Sequence, residues 1–252
     1  MKKYNIIWFY VFTLLFSVIS GGISSALLDE LNIIALVFIQ TSPLLGLLLL
    51  CVFMKDFTVF KELKWGIAVR GKVKWIAISI VIPIVIIFCS SMVLSFLNKP
   101  YVPNGYGLNI SLLVAIVASI VGCFCERVGW NGFLLSAFYE KKSLLISAIL
   151  TGLLWGAWHF GKIPMFGLLG YLLFILLCVE FSILMAWIYI KTDKSLLPVV
   201  VFHFMINICS MLLLVEREGI MFYIIGCIIG GVLCAIVILR NLKMFSTNII
   251  NK

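Results

Sequence analysis

Eight apolar runs, each close to the length of a membrane span, constrain this chain more than any other feature of its sequence. A helix rises about 1.5 Å per residue, so about 20 apolar residues cross the roughly 30 Å of hydrocarbon in a bilayer. The sequence therefore predicts an all-α, polytopic membrane bundle of about eight transmembrane helices. The runs lie near residues 6–28, 33–54, 75–97, 108–125 (or longer), 143–160, 168–190, 196–215 and 220–239.

The composition agrees with a chain that lies almost wholly in the membrane. Of the 252 residues, 64% are hydrophobic and 12% are charged, whereas soluble domains carry about 25% charged residues. The longest gap between runs, 55–74, is too short for a soluble domain, and its mixed sequence predicts an amphipathic segment on the membrane surface. We expect one integral membrane domain over 1–252, in the cell membrane. The first run is too long for a signal peptide and predicts an uncleaved helix.

The basic residues indicate how the bundle is oriented. If the N terminus faces the cytoplasm, all Lys and Arg residues fall on that side except Lys99, Lys162 and Arg217, in a count that includes Arg127. Cytoplasmic loops of membrane proteins carry such an excess of positive charge. We therefore expect both termini in the cytoplasm. The net charge of +9 predicts contact with membrane lipids, and no nucleic-acid partner is expected.

Polar side chains occur inside the fourth to seventh apolar runs, where burying them in the membrane has a high free-energy cost. An ionisable residue within a membrane span costs several kcal/mol unless it is paired or faces water, and such residues are functional candidates by default. Both histidines of the chain are among them. The candidates are Glu126, Arg127, His159, Glu180 and His203, with Asn131 and Asn207 as uncharged companions.

The spacing of these residues places some of them on common helix faces. His203 and Asn207 are four residues apart in "HFMIN", and Trp155 and His159 are four residues apart in "WGAWH". Residues four apart on a helix lie on one face. Each pair is therefore predicted to point in one direction.

A helical hairpin predicts that two of the candidates lie at similar depth. Glu126 and His159 flank a turn near 139–142 at similar sequence distances, so antiparallel helices bring them to one level. This requires the fourth helix to continue through Glu126 toward Phe138. His203 lies closer to its own cytoplasmic turn. Its predicted depth therefore matches that of Glu126 and His159 less well, unless its helix is tilted or contains a re-entrant bend.

Three segments together resemble a known family. "CERVGWNGFLL" (125–135), "LLWGAWH" (153–159) and "HFMIN" (203–207) are similar to the signature segments of the CAAX protease and bacteriocin-processing (CPBP, or Abi) family of intramembrane enzymes. The family's segments read Glu-Glu-x-x-x-Arg, aromatic-x-x-x-His, and His-x-x-x-Asn or His-x-x-x-Asp. The resemblance implies a CPBP-like core at about 108–215, and the predicted eight helices fit it.

The resemblance also implies roles for individual residues. The first Glu of the family activates the attacking water, while the histidines and the last polar residue position water and stabilise an oxyanion. Carried over, these catalytic positions are Glu126, His159, His203 and Asn207. Residues at the remaining motif positions are expected to bind substrate, and they are Arg127, Asn131 and Trp155.

The first segment departs from the family at two positions. Arg127 stands where the family has its second Glu, and Asn131 stands where it has Arg. Arg127 would pair with Glu126, with Glu180 or with a lipid phosphate, and for Glu180 we favour a structural role as such a partner over a catalytic one. The departure weakens the case for peptide hydrolysis, although the shared site remains expected.

The function that the sequence favours is intramembrane endopeptidase-type hydrolysis of a membrane-anchored peptide or lipoprotein. Acyl transfer in lipoprotein N-acylation is the alternative within the family, with Cys125 as a conceivable thioester carrier. A non-catalytic immunity or scaffold protein and a proton-relay transporter remain open. Glu126, His159 and His203 are also plausible zinc ligands by type, but no His-Glu-x-x-His motif occurs and no cofactor is expected.

Reporter fusions test the predicted orientation. Fusions after Lys74, Lys142 and Lys194 should report cytoplasm, and fusions near Asn104 and Glu218 should report the outside, because the basic residues lie overwhelmingly on one side. Paired phosphatase and fluorescent-protein reporters give the readout. A reversed pattern across the set would show that the positive charges do not orient this bundle.

Overall fold

The computed structural model describes residues 3–27, 33–66, 73–97, 110–212 and 220–247, and these residues are almost entirely helical. The helices follow the apolar runs of the sequence. Their bounds are α1 Lys3–Leu27, α2 Ile33–Met54, α3 Thr58–Glu62, α4 Val73–Phe96, α5 Ile110–Arg127, a π-helical segment Val128–Leu135, α6 Ser136–Tyr139, α7 Leu144–Trp158, a 3₁₀ turn Phe160–Lys162, α8 Ile163–Lys191, α9 Leu196–Leu212, α10 Ile220–Arg240 and α11 Leu242–Ser246.

The apolar helices confirm the predicted all-α, multi-pass membrane bundle. Within the described ranges, five stretches are long and apolar enough to cross a bilayer, and three shorter stretches are also apolar. The five are Asn5–Gly22, Val73–Phe96, Leu112–Tyr139, Phe160–Lys191 and Ile220–Arg240; the three are Phe38–Met54, Leu144–Trp158 and Leu196–Leu212. The orientation stays a prediction, because Lys99, Asn104, Arg217 and Glu218 lie outside the described residues.

The fourth predicted helix continues past Glu126, as the hairpin requires, but its second half is π-helical. Helix α5 runs without a break into the π segment Val128–Leu135 and then into α6. Every residue of the π segment is buried. Two glycines permit close packing there: a Cβ at Gly129 would lie 2.7 Å from Cβ of Pro43, and one at Gly132 would lie 2.6 Å from Leu63. The π form was not predicted, and such segments are frequent at functional sites.

The sixth apolar helix begins earlier than the sequence predicted. The apolar run suggested a start near 168, whereas α8 begins at Ile163 and kinks at Gly167, which has a φ of 67°. This left-handed conformation is easily adopted by glycine because it has no Cβ. The chain therefore turns sharply just after the 3₁₀ turn that follows α7.

Residues 55–66, which follow α2, pack against one end of the bundle. Leu63 is buried and lies against the π segment, and Lys64 forms an exposed ion pair with Asp193. Asp56 accepts hydrogen bonds from the backbone N–H and the hydroxyl of Thr58, and these bonds lower the pKa of Asp56. This segment therefore covers one end of the helices that carry the polar residues.

Helices α7 and α8 pack closely against each other at two glycines of α7. A Cβ at Gly152 would lie 2.6 Å from Cα of Val179 and 2.9 Å from Cβ of Ser182, and a Cβ at Gly156 would lie 2.9 Å from Cα of Ile175. The α7 residues that follow, including Trp155, are thereby held directly against α8.

The Gly152→Ala substitution should reduce the free energy of unfolding by about 1–3 kcal/mol, because the added methyl group must push α8 away from α7. Denaturant unfolding of the purified protein in mild detergent measures the change. Gly21→Ala is the matched control, since a Cβ at that helical glycine meets nothing within 4 Å. Equal stability of the two variants would contradict the close α7–α8 contact.

Candidate active site

Glu126 lies at the end of α5 and is completely buried. Its Oε2 accepts a hydrogen bond of 2.7 Å from Nε1–H of Trp155 and a longer one of 3.5 Å from Nη2 of Arg127. Its Oε1 is buried and has no hydrogen-bond partner among the described residues. One carboxylate oxygen is thus fixed, and the other keeps its capacity to accept a proton.

Arg127 is also buried, with a 1% exposed side chain, and it points into the bundle. Its Nη1 donates to Oδ1 of Asn131 at 3.0 Å and contacts Sδ of Met185 at 3.4 Å. Arg127 therefore lies within the bundle. The sequence had placed it both among the residues inside the spans and in the count of cytoplasmic charges, and its burial agrees with the first of these.

Trp155 contacts four of the candidates, namely Glu126, Arg127 and both histidines. The guanidinium carbon of Arg127 lies 4.2 Å from the centre of its ring system. The rings of His203 and His159 lie 5.3 Å and 5.8 Å from it, both nearly perpendicular. Trp155, which the resemblance assigns to substrate binding, is 3% exposed and donates its indole N–H to the carboxylate of Glu126.

The two histidines differ in what they bind. His159 ends α7, and its Nδ1 lies 2.8 Å from the carbonyl oxygen of Trp155. A carbonyl can only accept, so Nδ1 carries the proton and Nε2 of the neutral ring is an acceptor. His203 is buried in α9, and its Nδ1 has no hydrogen-bond partner within the described part of the chain.

His203 is brought to the cluster by its contact with Trp155. The rings of the two side chains, on α9 and α7, lie 5.3 Å apart. The hairpin argument had left the depth of His203 open, and this contact places it beside the indole.

Asn207 lies one helical turn beyond His203 and outside this cluster. Its Nδ2 donates to Oγ of Ser119 at 3.2 Å and to Sγ of Cys123 at 3.3 Å, both on α5. These contacts tie α9 to α5 on the stretch of α5 that precedes Glu126. The partners Ser119 and Cys123 gave no recognisable signal in the sequence.

Of the partners that the sequence left open for Arg127, the structure shows Glu126 and not Glu180. On α8, Cys178 and Ser182 face α7, and Glu180 faces α10, where its carboxylate lies against Gly230. The side chain is 7% exposed. Residues two apart on a helix point to different faces, so the α7 contacts of Cys178 leave Glu180 on the far side from Arg127.

The remaining predictions concern Cys125 and metal binding. Cys125 is 5% exposed beside Glu126, and no described side chain activates its thiol by hydrogen bonding. In the part of the chain that the structure describes, no three His, Cys, Asp or Glu side chains lie close enough together to hold a metal ion. The cluster thus consists of the buried Glu126, Arg127, Trp155 and His203, together with the half-buried His159.

A buried carboxylate, a guanidinium and two histidines lie together inside a helical membrane bundle. The protein therefore belongs to the class of membrane proteins that carry a polar site within the bundle. Residues 108–209 match the model of the family described as type II CAAX prenyl endopeptidase Rce1-like. The predicted resemblance to the CPBP family is therefore confirmed over the region that carries the three segments.

A curated relative points to the same family. CAAX prenyl protease 2 of Methanococcus maripaludis is 25% identical over 158 residues, which cover 56% of this chain and 55% of that protein. The chain thus matches about half of the length of this curated relative.

Removal of Arg127 tests whether the buried carboxylate depends on it. Arg127→Met should lower the free energy of unfolding by about 3–5 kcal/mol, because it leaves a buried carboxylate without its cation. The double variant with Glu126→Gln should recover roughly half of this loss, because a neutral amide needs no cation. Unfolding in detergent measures both, and simple additivity of the two substitutions would exclude the ion pair.

Proposed function

We propose that this protein is an intramembrane endopeptidase-type hydrolase in which Glu126 activates a water molecule. The proposal rests on three buried polar atoms around Trp155 that have no hydrogen-bond partner among the described residues: Oε1 of Glu126, Nε of Arg127 and Nδ1 of His203. Each such atom costs about 1–3 kcal/mol. Polar groups retained in this state are candidates for binding a reacting molecule.

Glu126 is proposed as the general base. Trp155 and Arg127 hold Oε2, and Oε1 takes a proton from water as the water oxygen bonds to the carbonyl carbon of the substrate. A positioned base of this kind contributes about 10²–10⁴-fold to the rate. His159 is proposed to orient the water through Nε2, since its Nδ1 is fixed by the carbonyl oxygen of Trp155.

The negative charge that develops on the carbonyl oxygen is assigned to two donors. Nδ1–H of His203 and Nε–H of Arg127 are both buried, and hydrogen bonds to an oxyanion are strong where water is excluded. When the tetrahedral intermediate collapses, the C–N bond breaks and the proton held by Glu126 passes to the leaving amine. Asn207 then acts as a positioning residue, because it fastens the helix of His203 to α5.

The substrate is proposed to be a membrane-anchored polypeptide that carries a lipid group. The polar cluster is buried among helices that span the membrane, so a substrate held at the bilayer reaches it most directly. The relative is named CAAX prenyl protease 2, and by extension we propose a lipid-modified polypeptide for this chain.

Three substitutions test the proposed roles. Glu126→Gln, His159→Ala and His203→Ala should each lower kcat/KM at least about 100-fold, because each removes a group that handles a proton or a developing charge. The assay follows cleavage of a fluorescent, prenylated CAAX-type peptide by the reconstituted protein, with the amount of protein in the membrane measured in parallel.

Glu62→Gln is the matched control, since Glu62 lies exposed on α3, and it should leave cleavage unchanged. Full activity of all three site variants would refute the enzyme proposal and favour a scaffold. Equal losses in the control would show instead that the assay reports folding.

Acyl transfer is a second candidate, favoured by the cation beside Glu126. Arg127 lies 3.5 Å from the carboxylate, and an ion-paired carboxylate is a weaker base toward water, whereas an amine needs less activation. In this reaction the amine nitrogen bonds to the acyl carbon of a phospholipid ester, the ester C–O bond breaks, and the amine proton passes to the leaving alkoxide. Arg127 would then bind the phosphate of the acyl donor.

Mass spectrometry of lipoprotein N-termini separates the two candidates. If acyl transfer is correct, loss of the protein should remove N-acylation, and Arg127→Glu should do the same because it repels the phosphate. If hydrolysis is correct, the acylation should stay unchanged and an uncleaved membrane precursor should accumulate. Unchanged acylation without any precursor would contradict both.

A further inference from the structure

Trp130 is the largest side chain of the π segment Val128–Leu135, and the proposed mechanism gives it no role. It is completely buried, and its Nε1–H has no hydrogen-bond partner among the described residues. A buried tryptophan usually finds a partner for this group, because an unpaired buried donor is costly. Where such a donor is retained, an ordered water molecule is a common partner. The indole of Trp130 therefore indicates where a small acceptor binds.

Trp130 lies beside Glu126. The two residues are four positions apart on the continuous helix that runs from α5 into the π segment, and side chains at this spacing are neighbours. The indole interacts with the carboxylate of Glu126, yet neither Nε1 of Trp130 nor Oε1 of Glu126 has a hydrogen-bond partner in the described part of the chain. A buried donor and a buried acceptor thus lie near each other without bonding directly.

Aromatic contacts connect Trp130 to His159 as well. The ring centres of Trp130 and Trp158 lie 6.0 Å apart, and those of Trp158 and His159 lie 4.6 Å apart. The ring of Phe9 packs edge-on against Trp130 at 5.6 Å. Packing therefore fixes the indole next to Glu126 and one ring away from His159, the two residues that are proposed to hold the reacting water.

We propose that Nε1–H of Trp130 binds the oxygen of the water molecule that Glu126 activates. The water donates one O–H to Oε1 of Glu126 and the other to Nε2 of His159, and it accepts the indole N–H on one lone pair. Its second lone pair forms the bond to the carbonyl carbon of the substrate. Three partners are typical of a buried water.

The indole N–H has a second effect during the reaction. As one proton of the water passes to Oε1 of Glu126, the water oxygen gains negative charge, and a fixed N–H donor stabilises that charge where bulk water is excluded. This inference rests on the proposed function, since it takes Glu126 as the base and water as the nucleophile.

Magnetisation transfer from water to the indole protons tests the water site without relying on catalysis. The full chain, reconstituted with nitrogen-15-labelled tryptophan, should give one indole signal for each of its seven tryptophans, and Trp130→Phe assigns the signal of Trp130. Rotating-frame Overhauser transfer from water should reach Trp130. It should not reach Trp187, the matched control, whose buried indole packs perpendicular to Trp75.

Kinetics test the role of the N–H in the reaction. Trp130→Phe should lower kcat about tenfold and leave KM unchanged, because the water and not the substrate uses this donor. Replacement of Trp130 by benzothienylalanine, which keeps the ring shape and has sulfur in place of the N–H, should do the same without disturbing the packing. Trp187→Phe should change neither constant in the cleavage assay with the fluorescent prenylated peptide.

Two results would overturn the inference: no transfer from water to the indole proton of Trp130, or a benzothienylalanine variant with the kcat of the wild type. Transfer to Trp130 in a wild-type protein that cleaves no peptide would refute the proposed hydrolysis and leave the water site standing.

Discussion

The hydrogen bond from Trp155 to Glu126 is the interaction on which the polar cluster depends. A carboxylate buried among membrane helices is stable only where donors and a cation replace water. The indole N–H supplies the shortest of these contacts, at 2.7 Å, and the same ring stacks against Arg127 and contacts both histidines. The close approach of α7 to α8 at Gly152 and Gly156 fixes the helix that carries it.

Arg127 and Asn131 in the first segment distinguish this site from the family's pattern. Arg127 neighbours Glu126 directly instead of lying a turn away, and it reaches both Glu126 and Asn131. The cation is therefore within the cluster, and its Nε has no hydrogen-bond partner among the described residues. The proposed hydrolysis and the proposed acyl transfer differ in the role that they give to this cation.

The sequence predicted the helices and most of the cluster because both follow from local patterns. Apolar runs locate the spans, and the hairpin arithmetic placed Glu126 and His159 together. The partner of Arg127 stayed open because the direction of a side chain depends on tertiary packing: Arg127 lies against Glu126, and α8 turns Glu180 toward α10. The contact of His203 with Trp155 likewise depends on how α7 and α9 pack, which spacing alone does not contain.

A double-mutant cycle between Glu126→Gln and Trp155→Phe tests the central interaction most directly. The free energy of unfolding in detergent should reveal a coupling of about 1–3 kcal/mol, the range for a hydrogen bond to a charged group. Trp187→Phe supplies the reference cycle, because Nε1 of Trp187 is buried with no hydrogen-bond partner in the described residues, and it should show no coupling to Glu126. A coupling near zero between Glu126 and Trp155 would contradict the account.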